Sequence, residues 1–522
     1  MNWLPNYKLE YFKNDLISGI TVAIMLIPQG MAYALIAGLP PIYGLYAALT
    51  PQIVYAFLGT SKQLAVGPVA MDSLLVAAGL GALSIVGPSQ YIQMALLLAL
   101  LMGVIQFFLG LLRMGFIVAF LSKPVISGFT SAAAIIIGLN QIKHILGISI
   151  PQSNKIHVFI SLIMNSQNQI NFYTLAIGLI SILLLVLIKK WNTKIPSALL
   201  VVIMSIFYVS YTNYDQKDLA IVGSIPDGLP NFIFPVLEWD IIKSLLPISL
   251  TIALVGFMEA ISIAKSIEER NKTDEINPNQ ELIALGASNI IGSFFQSYPT
   301  SGGFSRTAVN NQSGAKTGVS ALISAIIVGV ILSFFTDWFY YLPKAALGAI
   351  IIVAVTNLID YKYTFGLYKE RKDEFFVLIF TFIGTLFIGI TEGILFGIIL
   401  SLLLLVYRTS KPHYAFLGRI GTTNYFKNID RFPGEVVLRD DLIILRFDAQ
   451  LFFGNIQFFK NLVFDSINNN HKKVKGYIIN ARTINYIDST ALEKLTEIII
   501  ELQKKGIRVM VVGATGPTRD MI

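Results

Sequence analysis

The sequence predicts an α-helical polytopic membrane protein of about fourteen spans, followed by a small α/β domain. Three observations carry this. Hydrophobic residues make up 54% of the 522 and charged residues only 13%, outside the soluble range. Apolar runs of spanning length recur between short basic clusters, as they do between the loops of a multi-span protein. Past Lys411 the pattern turns to short apolar stretches alternating with amphipathic ones. Composition also removes other classes. The formal net charge of +8 is scattered over short loops and forms no single basic face, so no nucleic-acid partner is expected. With Cys 0 and His 4 there are no disulfides or thiolate sites, and no metal centre is expected. The P-loop, HExxH and GxSxG patterns are absent, so neither an ATP-driven pump nor an enzyme is expected.

At the N-terminus, Met1 to Asn14 is polar and aromatic, and WLPNYK lacks a signal-peptide cleavage pattern. The first span is expected from about Asp15 to Ala37, capped by Asp15 or Ser18 and interrupted at Pro28-Gln29-Gly30. Gln29 beside that proline points to a polar lining more than to a plain kink. Leu39 to Lys62 follows, reading LPPIYGLYAALTPQIVYAFLGTSK. Its run P-x-Y-G-L-Y-A-A, then Tyr55, then G-T-S-K, resembles the signature of the sulfate permease family, solute carrier family 26. The flanking PQGMAYALIAGLPP and QLAVGPVA are similar to that family's first and third spans. Physically, Gly44, Ala47 and Ala48 form a small-residue face for close helix packing, so the signature marks scaffold more than chemistry.

Further spans are expected at about 90–112, 125–146, 172–188 and 196–212, then, after a polar stretch from Asn213 to Asp240, at about 241–264, 278–296, 304–312, 317–335, 339–358, 374–390 and 392–408. The third segment of each half is short and broken, as an inverted repeat of about seven plus seven would give. The resemblance implies the same arrangement, with spans 1 to 4 and 8 to 11 forming a substrate-carrying core and the rest a gate. Lys8, Lys13, Lys62, Arg113, Lys123, Lys189, Lys190, Lys194, Lys265, Arg270, the cluster from Lys362 to Lys372, Arg408 and Lys411 fall on one side of this count. That side is read as cytoplasmic, with both termini on it, in the cell membrane. Asp215, Asp218, Asp227, Glu238 and Asp240 fall on the other, while Lys143 and Lys155 break the rule.

The two broken segments are Val66 to Asp72, VGPVAMD, and Tyr298 to Asn311, YPTSGGFSRTAVNN. Gly67-Pro68 and Pro299, Gly302, Gly303 stop a helix, and a new one can start after each. A helix start at membrane depth presents unpaired N–H groups and the positive end of the dipole, which suits an anion. Paired broken segments of this kind point to a transporter substrate site. Arg306 adds a full charge there, its plainer reading being a loop or headgroup arginine. Glu259 lies about 18 Å of helix past Pro247, near mid-bilayer, where an ionisable group is a functional candidate, against an interfacial carboxylate near Lys265. Asp72 reads as a dipole partner of its helix more than as a ligand; the family has an apolar residue there. The resemblance implies that Gln29, Tyr33, Val69, Ala70, Ser305 and Arg306 bind the substrate, and that Glu259 couples a cation. No acidic residue stands near Gln29, which argues against a proton relay through the first span.

Past the spans, residues 412–434 read as a linker between a membrane domain, 1–411, and a soluble domain, 435–522. VVLRDDLIILRFDA suggests a hairpin at Asp440-Asp441. Phe453 to Asn468 is helical in pattern, VKGYIINAR and IRVMVVGA are strands, and Asp488-Ser489-Thr490 opens a helix with Thr490 and Glu493 at capping-box spacing. This part resembles the sulfate transporter and anti-sigma antagonist (STAS) domain. The resemblance implies phosphorylation at Ser489, against a purely capping role, and a further strand and helix after Ile522, so the domain is expected to be incomplete. Taken together, the expectation is a secondary active transporter of an inorganic anion, sulfate first, working by alternating access between the starts of spans 3 and 10. No cofactor is implied beyond a coupling ion, H⁺ or Na⁺. The family also moves bicarbonate, chloride, nitrate or dicarboxylates, by symport or exchange, and is often homodimeric. The alternatives are sodium-coupled bicarbonate uptake and, from another class, a membrane-linked sensor acting through the soluble domain. Nucleobase permeases share the fold but lack the PxYGLY run.

Overall fold

The computed structural model describes residues 7–522 apart from 82, 84–86, 117–121, 149, 151–155, 167–168, 193–195, 213–218, 272–274 and 471–472. Lys155, Lys194, Asp215 and Asp218, used above for orientation, lie outside the described residues, as does the side chain of Arg270. The chain divides into two compact units, Met1–Ile399 and Leu400–Ile522.

The first half of the membrane unit runs α1 (Leu9–Ile36), α2 (Pro41–Ala47), α3 (Thr50–Leu58), β1 (Val66–Gly67), α4 (Ala70–Gly81), α5 (Pro88–Leu111), α6 (Lys123–Leu146), α7 (Ile156–Asn165), α8 (Phe172–Trp191) and α9 (Ser197–Thr212). The second half runs α10 (Trp239–Asn271), α11 (Pro278–Phe294), β2 (Ser301–Gly302), α12 (Phe304–Gln312), α13 (Val319–Phe334), α14 (Lys344–Val355), α15 (Tyr361–Glu370), α16 (Lys372–Phe387) and α17 (Ile390–Ser410). Each half therefore carries a two-residue strand and a half-helix after its second span. The strands pair antiparallel, Val66 opposite Gly302 and Gly67 opposite Ser301, as an inverted repeat requires. Burial separates inner from outer helices. Of the apolar window of α1, 72% is buried, against 22% for α8 and 17% for α17. α8 accordingly exposes Leu179, Ile180, Leu183 and Val186, side chains suited to lipid.

Small residues decide which helices meet. A Cβ placed on Gly44 of the PxYGLY run would overlap the Gly30 carbonyl oxygen, so only glycine lets α2 lie against α1. Likewise a Cβ on Gly103 would stand 2.7 Å from the Gly286 oxygen, and α5 packs along α11. Such contact is how helices associate where lipid removes a hydrophobic drive.

Several expectations change. α1 starts at Leu9 and passes through Pro28 without a break. Asp15 does not cap it: buried inside the helix, its carboxylate accepts Lys316 N–H (2.7 Å), Thr317 N–H (3.1 Å) and the Thr317 hydroxyl (2.6 Å) at the approach to α13. Nor does Ser18, whose hydroxyl is buried without a partner. The stretch 39–62 bends between α2 and α3, where Pro51 sits in the first turn of a new helix. α7 and α15 are additional helices that the span count did not include.

In the second unit, β3 (Tyr414–Ile420), β4 (Phe426–Asn428), β5 (Val436–Val437), β6 (Leu442–Phe447), α18 (Ile456–Asn468), β7 (Gly476–Asn480), α19 (Ser489–Lys504), β8 (Arg508–Val512) and α20 (Gly516–Met521) follow in order. The sheet order is β4-β3-β6-β7-β8, with β5 also on β3. β6, β7 and β8 are parallel, and α18 and α19 connect them over a core that includes Phe447, Phe459, Tyr477 and Leu495. The stretch 412–434 is thus not a linker, because β3 and β4 lie in it and β3 pairs with β6, Tyr414 opposite Phe447. No hairpin forms at Asp440-Asp441 either. β5 and β6 both run antiparallel to β3, so the chain bulges there and continues in the same direction, with Arg439 pairing with Asp441 at 2.9 Å. α19 is capped by Asp488, which accepts Ala491 N–H at 2.8 Å, not by a Thr490–Glu493 box; the helix already begins at Ser489, which places Thr490 inside its first turn. Ser489 is exposed at the first helical position.

Candidate functional site at the two half-helix starts

Each half-helix makes its first intrahelical bond at the same place. Ser73 N–H donates to Val69 O (3.1 Å), and Thr307 N–H donates to Gly303 O (2.9 Å). The N–H groups before them have no intrahelical acceptor, and no side chain caps α12. By this register Ser73 corresponds to Thr307, and Asp72 to Arg306. The approaches to the strands are laced across the repeat. Ala65 N–H donates to Thr307 Oγ1 (3.0 Å), Asn310 Nδ2 to Gln63 O (2.9 Å), and Tyr298 Oη lies 3.0 Å from Ser73 Oγ. Asn289 of α11 fixes Thr300, accepting its N–H (2.8 Å) and donating to its carbonyl (2.9 Å). Glu281, fully buried, accepts the Tyr55 hydroxyl (2.8 Å), Thr60 N–H (2.7 Å) and hydroxyl (2.5 Å), and Ser61 N–H (3.2 Å) ahead of β1. These bonds hold two stretches of irregular backbone inside protein, the condition for such backbone at membrane depth.

Arg306 is 1% exposed, and its guanidinium folds back over the start of its own helix. A Cβ on Gly303 would lie 2.6 Å from Cζ and Nη2, and one on Gly67 would lie 3.6 Å from Nη2. The charge therefore sits between the two broken segments. Its Nε and Nη2 are buried without acceptors. A desolvated cation with free donors is costly unless something pairs with it.

The remaining sequence candidates distribute around it. Gln29 and Tyr33, one turn apart on α1, are each 6% exposed, and Gln29 Oε1 is unpartnered. Gly30 between them faces Pro68, 3.5 Å from where its Cβ would be, and Tyr33 is within electrostatic reach of Arg306 and Glu259. Val69 and Ala70 are buried at 4% and 8%, giving apolar walls at the start of α4. Ser305, by contrast, is exposed beside Phe304. Glu259 has Oε2 buried without a partner and lies in the field of Arg306. Sequence reasoning missed Tyr298, fully buried and hydrogen-bonded to α4, and it treated Asp72 as a dipole partner. Both of its oxygens are in fact buried and unpartnered. A carboxylate in an otherwise apolar half-helix was the available signal.

The sequence profile of the sulfate permease family matches residues 12–381, and that of the STAS domain matches residues 435–522. The chain is 39% identical over 539 aligned positions to the chloroplastic sulfate transporter 4.1 of Arabidopsis thaliana, covering 99% of this chain and 77% of that protein. It is 31% identical to a probable sulfate transporter of Mycobacterium tuberculosis, covering 97% and 91%. Among solved structures, the murine Solute Carrier 26 family member A9 anion transporter in its inward-facing state superposes with a TM-score of 0.92 at 25% identity, covering 99% of this chain and 88% of that one. The transmembrane domain of a cyanobacterial bicarbonate transporter, BicA, shares the fold over 76% of this chain at a TM-score of 0.66 and 23% identity.

Proposed function

This chain belongs to the sulfate permease family, a family of membrane anion transporters and not of enzymes, and on that premise we propose that it is a secondary active transporter of sulfate working by alternating access. One observation supports the position of the substrate. The Arg306 guanidinium lies between Gly303 and Gly67 with two buried donors unpaired, and the dipoles of α4 and α12 start beside it. A tetrahedral dianion satisfies those donors and the free N–H groups together. Gln29 and Tyr33 contribute polar contacts from α1, Val69 and Ala70 wall the site, and Ser305 closes it when the exposed side of α12 turns inward during transport.

Sulfate adds two negative charges to a dry site, so a cation must accompany it. Glu259, one turn of α10 past Gly256, is the group that takes H⁺ or Na⁺, giving symport. The protein works in the cell membrane with both termini cytoplasmic, as a homodimer whose STAS domain regulates transport through Ser489. Radiolabelled sulfate uptake into proteoliposomes, with and without Na⁺ and across a pH step, tests the central reading. Gradient-driven sulfate accumulation supports it. Na⁺-dependent bicarbonate uptake with no sulfate flux replaces the substrate, and no flux of any anion replaces the transporter with a sensor.

A further inference from the structure

Asp72 is the buried charge that the anion site leaves unused. It is fully buried with neither oxygen hydrogen-bonded. A Cβ on Gly256 of α10 would lie 3.3 Å from Asp72 Oδ1 and 3.3 Å from Ser301 Cβ. Ser301 comes near enough to interact with the carboxylate, yet its hydroxyl, also fully buried, completes no hydrogen bond. One helical turn further along α10, Glu259 Oε2 is the next unpartnered oxygen. Met102 of α5 closes the remaining side, 3.1 Å from the same point. The titratable groups facing Asp72 are Glu259 from α10 and Tyr298 from the approach to β2. Arg306 of α12 and Tyr33 of α1 stand around Glu259. The α5 side chain nearest this point is Met102.

Asp72 and Ser301 thus meet at the glycine that lets α10 approach, with Glu259 one turn away, and among the described residues the Ser301 hydroxyl is the one donor at hand for these carboxylates. With both carboxylates ionised, they outweigh the one guanidinium by a single negative charge before any anion enters. Sulfate would add two more, an excess that a water-excluded interior does not hold. Oxygen donors of this kind accept a proton or a hard monovalent cation.

We propose that Asp72, with Ser301, forms a monovalent-cation site of its own beside Glu259 and adjoining the anion site, so that this chain takes up one more cation per anion than Glu259 alone would bring. The glycine at position 256 leaves the cation in direct reach of the Asp72 carboxylate. H⁺ and Na⁺ share the chemistry and differ in which gradient drives uptake. The inference rests on the preceding assignment of the anion to the starts of α4 and α12.

The test uses the full chain in proteoliposomes. The static-head sulfate gradient is measured against imposed Na⁺ gradients at fixed pH, and separately against pH gradients without Na⁺, for wild type and for Asp72→Asn. The slope of log sulfate gradient on log cation gradient gives cations per anion. The wild type should show roughly two in one of the arms, falling by about one in Asp72→Asn with sulfate binding retained, since the two fluxes are linked through one cycle. Asp72→Glu should restore the slope. A slope of about one in wild type overturns the proposal without any variant, and so does an unchanged slope in folded Asp72→Asn. If Asp72→Asn does not fold, Ser301→Ala should lower the cation affinity while sulfate affinity at saturating cation stays, and an unchanged cation dependence there overturns the site. No sulfate flux at all would instead overturn the assignment of the anion, and this inference with it.

Discussion

α4 and α12 are the same device used twice with opposite charge. Each follows a two-residue strand, starts at the same hydrogen-bond register, and is tied at its fourth residue to the other half, through Ser73 in one case and Thr307 in the other. The third residue differs: Asp72 in α4, Arg306 in α12. Around Arg306 the backbone is glycine, and the side chain returns to the helix start where an anion is favoured. Around Asp72 the segment is Pro68-Val69-Ala70, and the carboxylate points instead toward Gly256 and Ser301 of the second half. A symmetric scaffold thus carries side chains of opposite charge at matching positions of its two half-helices.

The largest expected effect breaks the comparison on its basic side. Arg306→Gln should raise the sulfate dissociation constant by about tenfold or more, equivalent to roughly 1.4 kcal/mol, and should weaken a dianion more than a monoanion. Equilibrium binding of sulfate and of a monoanion to folded protein decides it; unchanged sulfate affinity removes Arg306 from the site. Gly303→Val should act in the same direction, because its side chain falls on the guanidinium.

Glu259→Gln should spare anion binding and exchange but remove the share of the cation-gradient dependence that Glu259 carries. Wild-type gradient dependence in that variant would exclude Glu259 from coupling. A smaller effect sharpens the structural half of the comparison. Thr307→Val strands the buried Ala65 N–H, which costs about 1–3 kcal/mol, whereas Ser73→Ala leaves Tyr298 short of one partner at about 1 kcal/mol. Thermal unfolding in detergent should therefore rank Thr307→Val below Ser73→Ala; the reverse order would mean that the lacing on α4 carries more of the load.

The smallest effects lie outside both half-helices. Removing the chain after Lys411 takes away the whole sheet from β3 onward and none of the proposed ligands, so sulfate binding should stay within about twofold. Loss of binding in a folded truncation would tie the site to the soluble unit. Ser489→Asp adds charge at a helix start that Asp488 already caps, where the dipole tolerates it, so the domain should stay folded. Equal transport rates for wild type, Ser489→Asp and Ser489→Ala would remove a regulatory hydroxyl.

The sequence by itself determined the spans, because run length and composition fix what can cross a bilayer, and the expected segments near 90–112, 125–146, 172–188 and 304–312 fall on α5, α6, α8 and α12. It also determined where the two half-helices start, because glycine and proline interrupt helices by local sterics alone, and it singled out Arg306 and Glu259 by charge in an apolar setting. Pro28 escaped that logic, since the neighbouring helices around α1 sustain it through the proline. Partners were not legible. Asp15 reads as a cap for its own helix, yet it serves residues 301 and 302 positions away; nothing in the sequence singled out Glu281, whose partner Tyr55 lies 226 positions before it. The strand at Tyr414–Ile420 looks like a linker until β6, later in the chain, pairs with it. The meeting of Asp72 and Ser301 beside Glu259 is of the same kind. Local patterns record what a residue does to its own helix, whereas the charge balance of a buried site depends on which distant helices a few glycines allow to touch, and only the tertiary structure decided that.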